Sequence, residues 1–352
     1  MPIPPLYGHE GTRHRLVGAI ASGRLPQALL FEGPVGVGKQ RLALWLAQAL
    51  VCEGGQGTGE GCGQCQHCKL VLTLSHPDVH WFVPVELSKR GADADKQVDL
   101  VEEALGEEFA ARRENPLYEP ASGLASHGIA AVRLLLRRLA LKPALGRRKV
   151  FVIGDAERLV PQTGADAAAN ALLKALEEPP VDTVFVLTTA APESLPPTIL
   201  SRVVRVRVAR QADSVVTAFA QKELGVKGDR ALAQRVALAD GRIGRLLADG
   251  DGKAGGVDAA ERFRSAVEAG SVDGYRFALS VQPFQARGGF TAMLDGLLEE
   301  LREQARAGGE TDKVVAAIAQ VLEARSLAQG NVNPQLVAAV LADDLAGERK
   351  PR

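Results

Sequence analysis

The run Gly33-Pro34-Val35-Gly36-Val37-Gly38-Lys39 constrains the fold of this chain more than any other feature. It follows the apolar segment Gln27–Phe31 and precedes a helical pattern that runs from Gly38 to about Leu50. Strand, glycine-rich loop and helix, in that order, are the context a phosphate-binding loop requires. The glycines let backbone N–H groups, including that of Val37, wrap around phosphate oxygens. The helix N-terminus adds a favourable dipole, and Lys39 can reach the terminal phosphates. Gly33, Gly36, Val37, Gly38, Lys39 and Gln40 are therefore candidate nucleotide-binding residues.

Two elements that normally hold Mg²⁺ beside such a loop are altered. The residue after the lysine should be Ser or Thr, whose hydroxyl holds the cation. Here it is Gln40, a carbonyl oxygen on a longer arm. An acidic residue is also expected at the end of the next apolar strand. That strand, Lys149–Ile153, is followed by Gly154-Asp155-Ala156-Glu157. Glycine stands at the carboxylate position, and Asp155 falls where many ATPases place the Glu that orients water. The expectation is ATP or ADP binding without efficient hydrolysis in cis. A one-residue shift that makes Asp155 itself the metal ligand is the competing reading.

Around the loop the chain alternates strands with helices. Helical patterns cover Ala131–Ala140 and about Ala165–Glu178, and a third strand covers Thr183–Thr188. Strands separated by helices argue for a parallel sheet with helices on both faces. Beyond Val208 only helices recur: Asp213–Leu224, Asp229–Ala239, Ile243–Ala248 and more to the end, with Asn333-Pro334 a good helix start. Between Pro84 and His127 the chain is polar and charged. Roughly Lys96 to Arg113 reads as an amphipathic acidic helix, and the rest as an exposed insertion or a loop without fixed structure.

Four cysteines, Cys52, Cys62, Cys65 and Cys68, fall within one short stretch. Two overlapping C-x2-C units and one more cysteine suit tetrahedral Zn²⁺ with four sulfurs, a closed structural site. An iron–sulfur cluster is the alternative use of four thiolates. His67 is read as a solvated neighbour, although it could replace one cysteine. No secretory leader or long apolar run is evident, so a cytoplasmic, non-membrane protein is expected. Lys and Arg together number 42, as do Asp and Glu. A formal net charge of zero argues against a strong nucleic-acid footprint. The pairs Arg137-Arg138 and Arg147-Arg148 read as solvated surface before they read as DNA contacts.

The phosphate loop, the cysteines inserted after its helix, Asn170–Pro180 (Asn-Ala-Leu-Leu-Lys-Ala-Leu-Glu-Glu-Pro-Pro) and Leu195–Arg202 (Leu-Pro-Pro-Thr-Ile-Leu-Ser-Arg) occur in this order. As an ordered set they resemble the bacterial clamp-loader subunits of DNA polymerase III. The resemblance covers about Leu6 to Ala248 well. Within that family the incomplete cation site matches the delta-prime branch better than the ATP-hydrolysing gamma/tau branch.

The resemblance implies an α/β P-loop AAA+ domain over 1–209, a small helical lid over 210–254 and an all-α collar over 255–352. It implies gamma/tau and delta subunits as partners in a ring-like heteropentamer that places a sliding clamp on primed DNA. Ser201 and Arg202 fall on the family's Ser-Arg-Cys motif, with Val203 in place of the cysteine. Arg202 is then an arginine finger for a neighbour's ATP site, since a guanidinium offers fixed donors to a phosphoryl transition state. Thr189 lies near the family's sensor-1 residue. Gly244 takes the place of the sensor-2 Arg, with Arg245 one position late. The rivals are an active motor subunit, a stand-alone P-loop NTPase, and a zinc-dependent nucleic-acid module. The 4% aromatic content argues against the last.

Overall fold

The computed structural model describes residues 2–54, 60–87, 93–115, 117, 125–159, 167–249, 255–281, 287–306, 311–329 and 332–347. The chain divides into two compact units, Met1–Leu247 and Ala248–Arg352.

The first unit opens with α1 (Glu10–Ala21), β1 (Ala28–Glu32), α2 (Lys39–Val51) and the short α3 (Gln66–Leu72). It continues through β2 (Val79–Phe82), α4 (Ala94–Glu114), α5 (Ile129–Ala140), β3 (Lys149–Ile153), α6 (Ala167–Glu177), β4 (Thr183–Thr189), α7 (Pro197–Leu200) and β5 (Val204–Arg207). All five strands are parallel, in the order β2-β3-β4-β1-β5. The three strands expected from the sequence are the three central ones. Their side chains are buried on both faces, which is why they read as unbroken apolar runs. Leu29, Leu30, Phe31, Phe151, Phe185 and Leu187 form the middle of the core, with Leu42 and Leu46 of α2 laid across it.

The two edge strands carry no such signal. β5 is the alternating Val-Arg-Val-Arg segment, mostly exposed, and β2 has only four residues.

The helix expected near Lys96–Arg113 is present as α4, capped by Asp93, whose Oδ1 accepts from the N–H groups of Asp95 and Lys96. Val98, Val101, Leu105 and Arg112 are its buried positions, a spacing that keeps them on one helical face. That face packs on α5, and Phe109 stacks on Trp81 with ring centres 5.6 Å apart. The opposite rim is ionic. Arg137 pairs with Asp95, and Arg138 donates to Glu102 at 2.6 Å. This basic pair therefore meets carboxylates of α4 at the exposed surface. Most of the loop expected beside α4, residues 88–92 and 118–124, lies outside the described residues, as does 55–59 of the loop before Cys62.

The helical lid follows as α8 (Asp213–Glu223), α9 (Asp229–Ala239) and a 3₁₀ segment, Ile243–Asp249. Val216, Phe219, Ala220, Leu232, Val236 and Leu246 form its own small core, joined by Leu117 from beyond α4. Tyr7 meets Phe219 edge-on at 5.1 Å and donates its hydroxyl to Glu223 at 2.5 Å. Burial and the Glu223 carboxylate push the Tyr7 phenol up to about 12.

The second unit contains α10 (Gly255–Ala269), α11 (Ser271–Ser280), α12 (Arg287–Arg306), α13 (Thr311–Gln329) and α14 (Pro334–Leu345). They enclose a core of Phe263, Phe290, Leu294, Val321, Ala338 and Leu341. Asn333 caps α14 as the sequence suggests, its Oδ1 accepting from the N–H of Gln335 at 2.9 Å. Among the described residues no helix is long and apolar enough to cross a membrane.

Candidate functional site

β1 ends at Glu32 and delivers the chain into the phosphate loop, where Gly36 (φ 84°) and Gly38 (φ 97°) adopt left-handed backbone that a side chain would resist. The loop is folded in on itself. Lys39 is buried at the start of α2, and its Nζ donates to the carbonyls of Gly33 (2.8 Å) and Pro34 (2.9 Å). Burial lowers its pKa, an effect opposed by the Asp155 and Glu157 carboxylates.

His9 and the lid close over the loop from outside. His9 Nε2 donates to the Val37 carbonyl at 2.8 Å, and its Nδ1 accepts from the Gln211 amide at 2.6 Å. Burial holds this imidazole below its ordinary pKa, which favours the neutral form these two bonds require.

The lid's contribution explains the missing arginine at Gly244. Gly244 N–H donates to the Gly36 carbonyl at 2.9 Å, and a Cβ at 244 would lie 2.8 Å from the Gly36 Cα. Only glycine allows that approach. Gly244→Ala is therefore expected to cost about 1–3 kcal/mol by overpacking, read as a lowered Tm in a thermal melt. An unchanged Tm would mean that the lid does not rest on the loop.

The two departures at the cation site are one arrangement. Gln40 is buried, and a Cβ placed on Gly154 would come within 2.7 Å of its side-chain amide. An aspartate at 154 would require the Gln40 side chain to move from this position. The Gln40 Oε1 accepts from Arg112 Nη1 at 3.2 Å. Arg112 is buried, lies 4.5 Å from the centre of the Trp81 ring and pairs with Glu108 at 3.4 Å. These residues do not fit Mg²⁺: the hydroxyl is absent, the strand-end carboxylate is absent, and a guanidinium points at the oxygen that remains.

Asp155 sits past the strand end with left-handed backbone, φ 50°, and its N–H donates to Thr188 Oγ1 at 3.1 Å. The Gly154 carbonyl is held by His127 Nε2 at 2.6 Å. Glu157, which sequence reasoning passed over, belongs to the same cluster. Its Oε1 accepts from the Ala190 N–H at 3.3 Å, and its Oε2 is buried with no hydrogen-bond partner among the described residues. Burial and neighbouring Asp155 raise its pKa, while a hydrogen bond from Thr189 works against them. Its signal in the sequence is weak: one acid four residues beyond a buried strand. Thr189 is fully buried at the end of β4, and its carbonyl accepts from the Gly33 N–H at 3.2 Å.

Ser201 and Arg202 form a separate cluster after α7. Arg202 Nε donates to Glu177 Oε1 at 2.8 Å, and Nη1 donates to the Thr198 carbonyl at 2.6 Å and to Ser201 Oγ at 3.2 Å. None of these bonds reaches the phosphate loop. The guanidinium is about a quarter exposed.

The four cysteine sulfurs converge, all within 4.8 Å of one another. Cys52 and Cys65 sulfurs are 3.9 Å apart, and those of Cys62 and Cys68 are 4.0 Å apart. A tetrahedron of Zn–S bonds would set this edge at about 3.8 Å, so the geometry fits a four-thiolate metal centre. Backbone N–H groups of Cys62, Cys65 and Cys68 point at the sulfurs of Cys52, Cys62 and Cys65 at 3.2–3.4 Å. Amides of Gln64 and Cys65 hold the Cys62 thiol down to about 6, whereas burial pushes the Cys68 thiol up.

His67 is neither a ligand nor solvated, contrary to expectation. It is buried, with Nδ1 2.8 Å from His76 Nε2 and Nε2 3.2 Å from Glu53 Oε1. His76 in turn accepts from the Asp78 N–H at 3.0 Å, and burial depresses its pKa to about 4. His67 lies on α3, which Cys65 caps and Cys68 occupies, and both His67 and Cys68 are buried.

Fold and sequence together define a class: an α/β domain of the AAA+ kind with a glycine-rich loop after its first strand, a small helical domain and an inserted cluster of four cysteines. Residues 8–212 match the sequence model of the family described as DNA polymerase III, delta subunit, and the chain belongs to that family. It is 35% identical over 187 residues to DNA polymerase III subunit delta' of Bacillus subtilis, covering 53% of this chain and 43% of the relative. It is 30% identical over 234 residues to the subunit delta' of Escherichia coli, covering 66% and 57%. DNA polymerase III subunit tau of Escherichia coli is 32% identical over 197 residues, 56% of this chain and 24% of the relative. The chain thus spans about half the length of the delta' relatives it matches.

Proposed function

We propose that this chain is a delta-prime-type subunit of a clamp loader, a partner that does not hydrolyse ATP itself and lends Arg202 to a neighbouring motor subunit. The observation that carries the reading is the cation site, where Gln40, Gly154 and Arg112 leave no place for Mg²⁺ beside a phosphate loop whose lysine is turned onto its own carbonyls. Family membership supports the assembly. In this reading gamma/tau-type and delta subunits are the direct partners, and sliding clamp and primed DNA are met through the complex. ATP or ADP, if held at all, is held without efficient turnover. Residues 255–352 act as the collar, and zinc is the structural ion of Cys52, Cys62, Cys65 and Cys68.

Arg202 suits a role in trans because its present partner is weak. An exposed Arg–Glu pair contributes about 0.2–1 kcal/mol, so a phosphate that needs the guanidinium outcompetes Glu177 easily. Ser201 then orients the arginine rather than reacting. The reading is tested by clamp loading onto primed DNA with the reconstituted loader, made with and without this chain. Loading that requires the chain is expected, and undiminished loading without it contradicts the assignment.

A further inference from the structure

We propose that the Arg112 guanidinium of the inserted helix α4 takes the place of the divalent cation at this chain's own phosphate loop and closes that site to metal-bound nucleotide. The proposal deepens the reading of the cis site as inactive, and it is independent of Arg202.

Arg112 and Gln40 are 72 residues apart in sequence and meet in the interior. Gln40 is the position directly after Lys39, from which a phosphate loop reaches its cation. Its amide also lies against Gly154, the strand-end position of the missing carboxylate. Arg112 therefore contacts the side chain that occupies one expected ligand position and lies against the other.

It is held there from three sides. The Trp81 ring supports the guanidinium at 4.5 Å, Glu108 one turn earlier pairs with it at 3.4 Å, and α4 is fastened to α5 through Arg138–Glu102 and to β2 through Phe109 on Trp81. A cation–π contact and a carboxylate together compensate a buried guanidinium without a metal.

The electrostatics oppose a second cation. Lys39 and Arg112 already bring two positive groups, whereas of the nearby acids Glu157 is biased towards its neutral form by burial. A divalent ion placed beside a fixed guanidinium in a low-dielectric interior meets like-charge repulsion with few carboxylates to offset it. Magnesium bound to the Gln40 oxygen would have to displace the Arg112 guanidinium from it.

The test uses the full chain and titrates ATP by calorimetry, with Mg²⁺ and with a chelator instead. The intact chain is expected to show less than about a twofold effect of Mg²⁺, whether it binds ATP or not. The Gln40→Thr/Arg112→Met double variant, which restores a hydroxyl and removes the guanidinium, is expected to gain Mg²⁺-dependent binding of about tenfold or more, roughly 1.4 kcal/mol. Tenfold tightening by Mg²⁺ in the intact chain overturns the proposal, as does a folded double variant with no such gain.

If the double variant does not fold, Gln40→Glu decides. With Arg112 opposite, the new carboxylate keeps the Tm within about 3 °C. A fall of about 10 °C or more, the signature of a buried unpaired charge, overturns the proposal. ATP turnover by the isolated chain would instead defeat the broader reading of an inactive site, whatever these titrations show.

Discussion

Replacing Arg202 by alanine in an otherwise intact reconstituted loader is expected to lower clamp- and DNA-stimulated ATP hydrolysis tenfold or more, a barrier increase of at least about 1.4 kcal/mol. An arginine finger can contribute about 10³–10⁵ in rate at the site it serves, so tenfold is a floor. The substitution should not disturb the fold. Arg202 is about a quarter exposed and bonded to Glu177, Thr198 and Ser201, none of which depends on it for burial. Glu177→Gln separates the two roles of the guanidinium. If the pair with Glu177 only stores the side chain, removing it leaves the rate within about twofold. A comparable collapse in Glu177→Gln would place the important contact inside this chain rather than across an interface.

The second large effect concerns the cysteine centre. Cys68 is fully buried on α3, one turn beyond Cys65, so Cys68→Ser removes a candidate ligand without adding bulk. One zinc per chain is expected by elemental analysis of the intact protein, and close to none in the variant. Structural zinc supplies about 10–16 kcal/mol of apparent folding energy to isolated finger peptides. Here the effect should be local and smaller, because the main core of Leu30, Phe151 and Phe185 stands apart from the sulfurs. Loosening should reach Gln48, Gly61 and Trp45, which line one cleft beside the cluster. A several-degree fall in Tm and altered Trp45 fluorescence are the readouts. Full metal retention by Cys68→Ser would reject the four-sulfur site.

Much of this architecture is legible in the sequence, for identifiable reasons. Strands β1, β3 and β4 are buried on both faces, so their composition is apolar without interruption. The edges β2 and β5 were not legible, since a four-residue strand with polar or exposed positions looks like loop until a neighbour pairs with it. The cysteine cluster is legible because its members are close in sequence, and the fold brings their sulfurs together. The burial of His67 is not legible in the sequence because the partners it meets in the fold, His76 and Glu53, are not adjacent to it.

The phosphate loop gave a similar split. Gln40 and Gly154 read as two separate losses, whereas in the folded chain the amide of one fills the space the other leaves. Helix α4 was legible as a helix from its periodicity, but nothing local to Arg112 indicates that it ends against Gln40. Gly244 likewise looks like a missing arginine until Gly36 is seen against it.

The most direct test of the whole account is ATP turnover by the isolated chain at saturating Mg²⁺-ATP, with sliding clamp and primed DNA present. A rate indistinguishable from the protein-free blank is predicted. Turnover on the order of 1 s⁻¹, the lower range of ordinary enzymes, would contradict it and make this chain a motor in its own right.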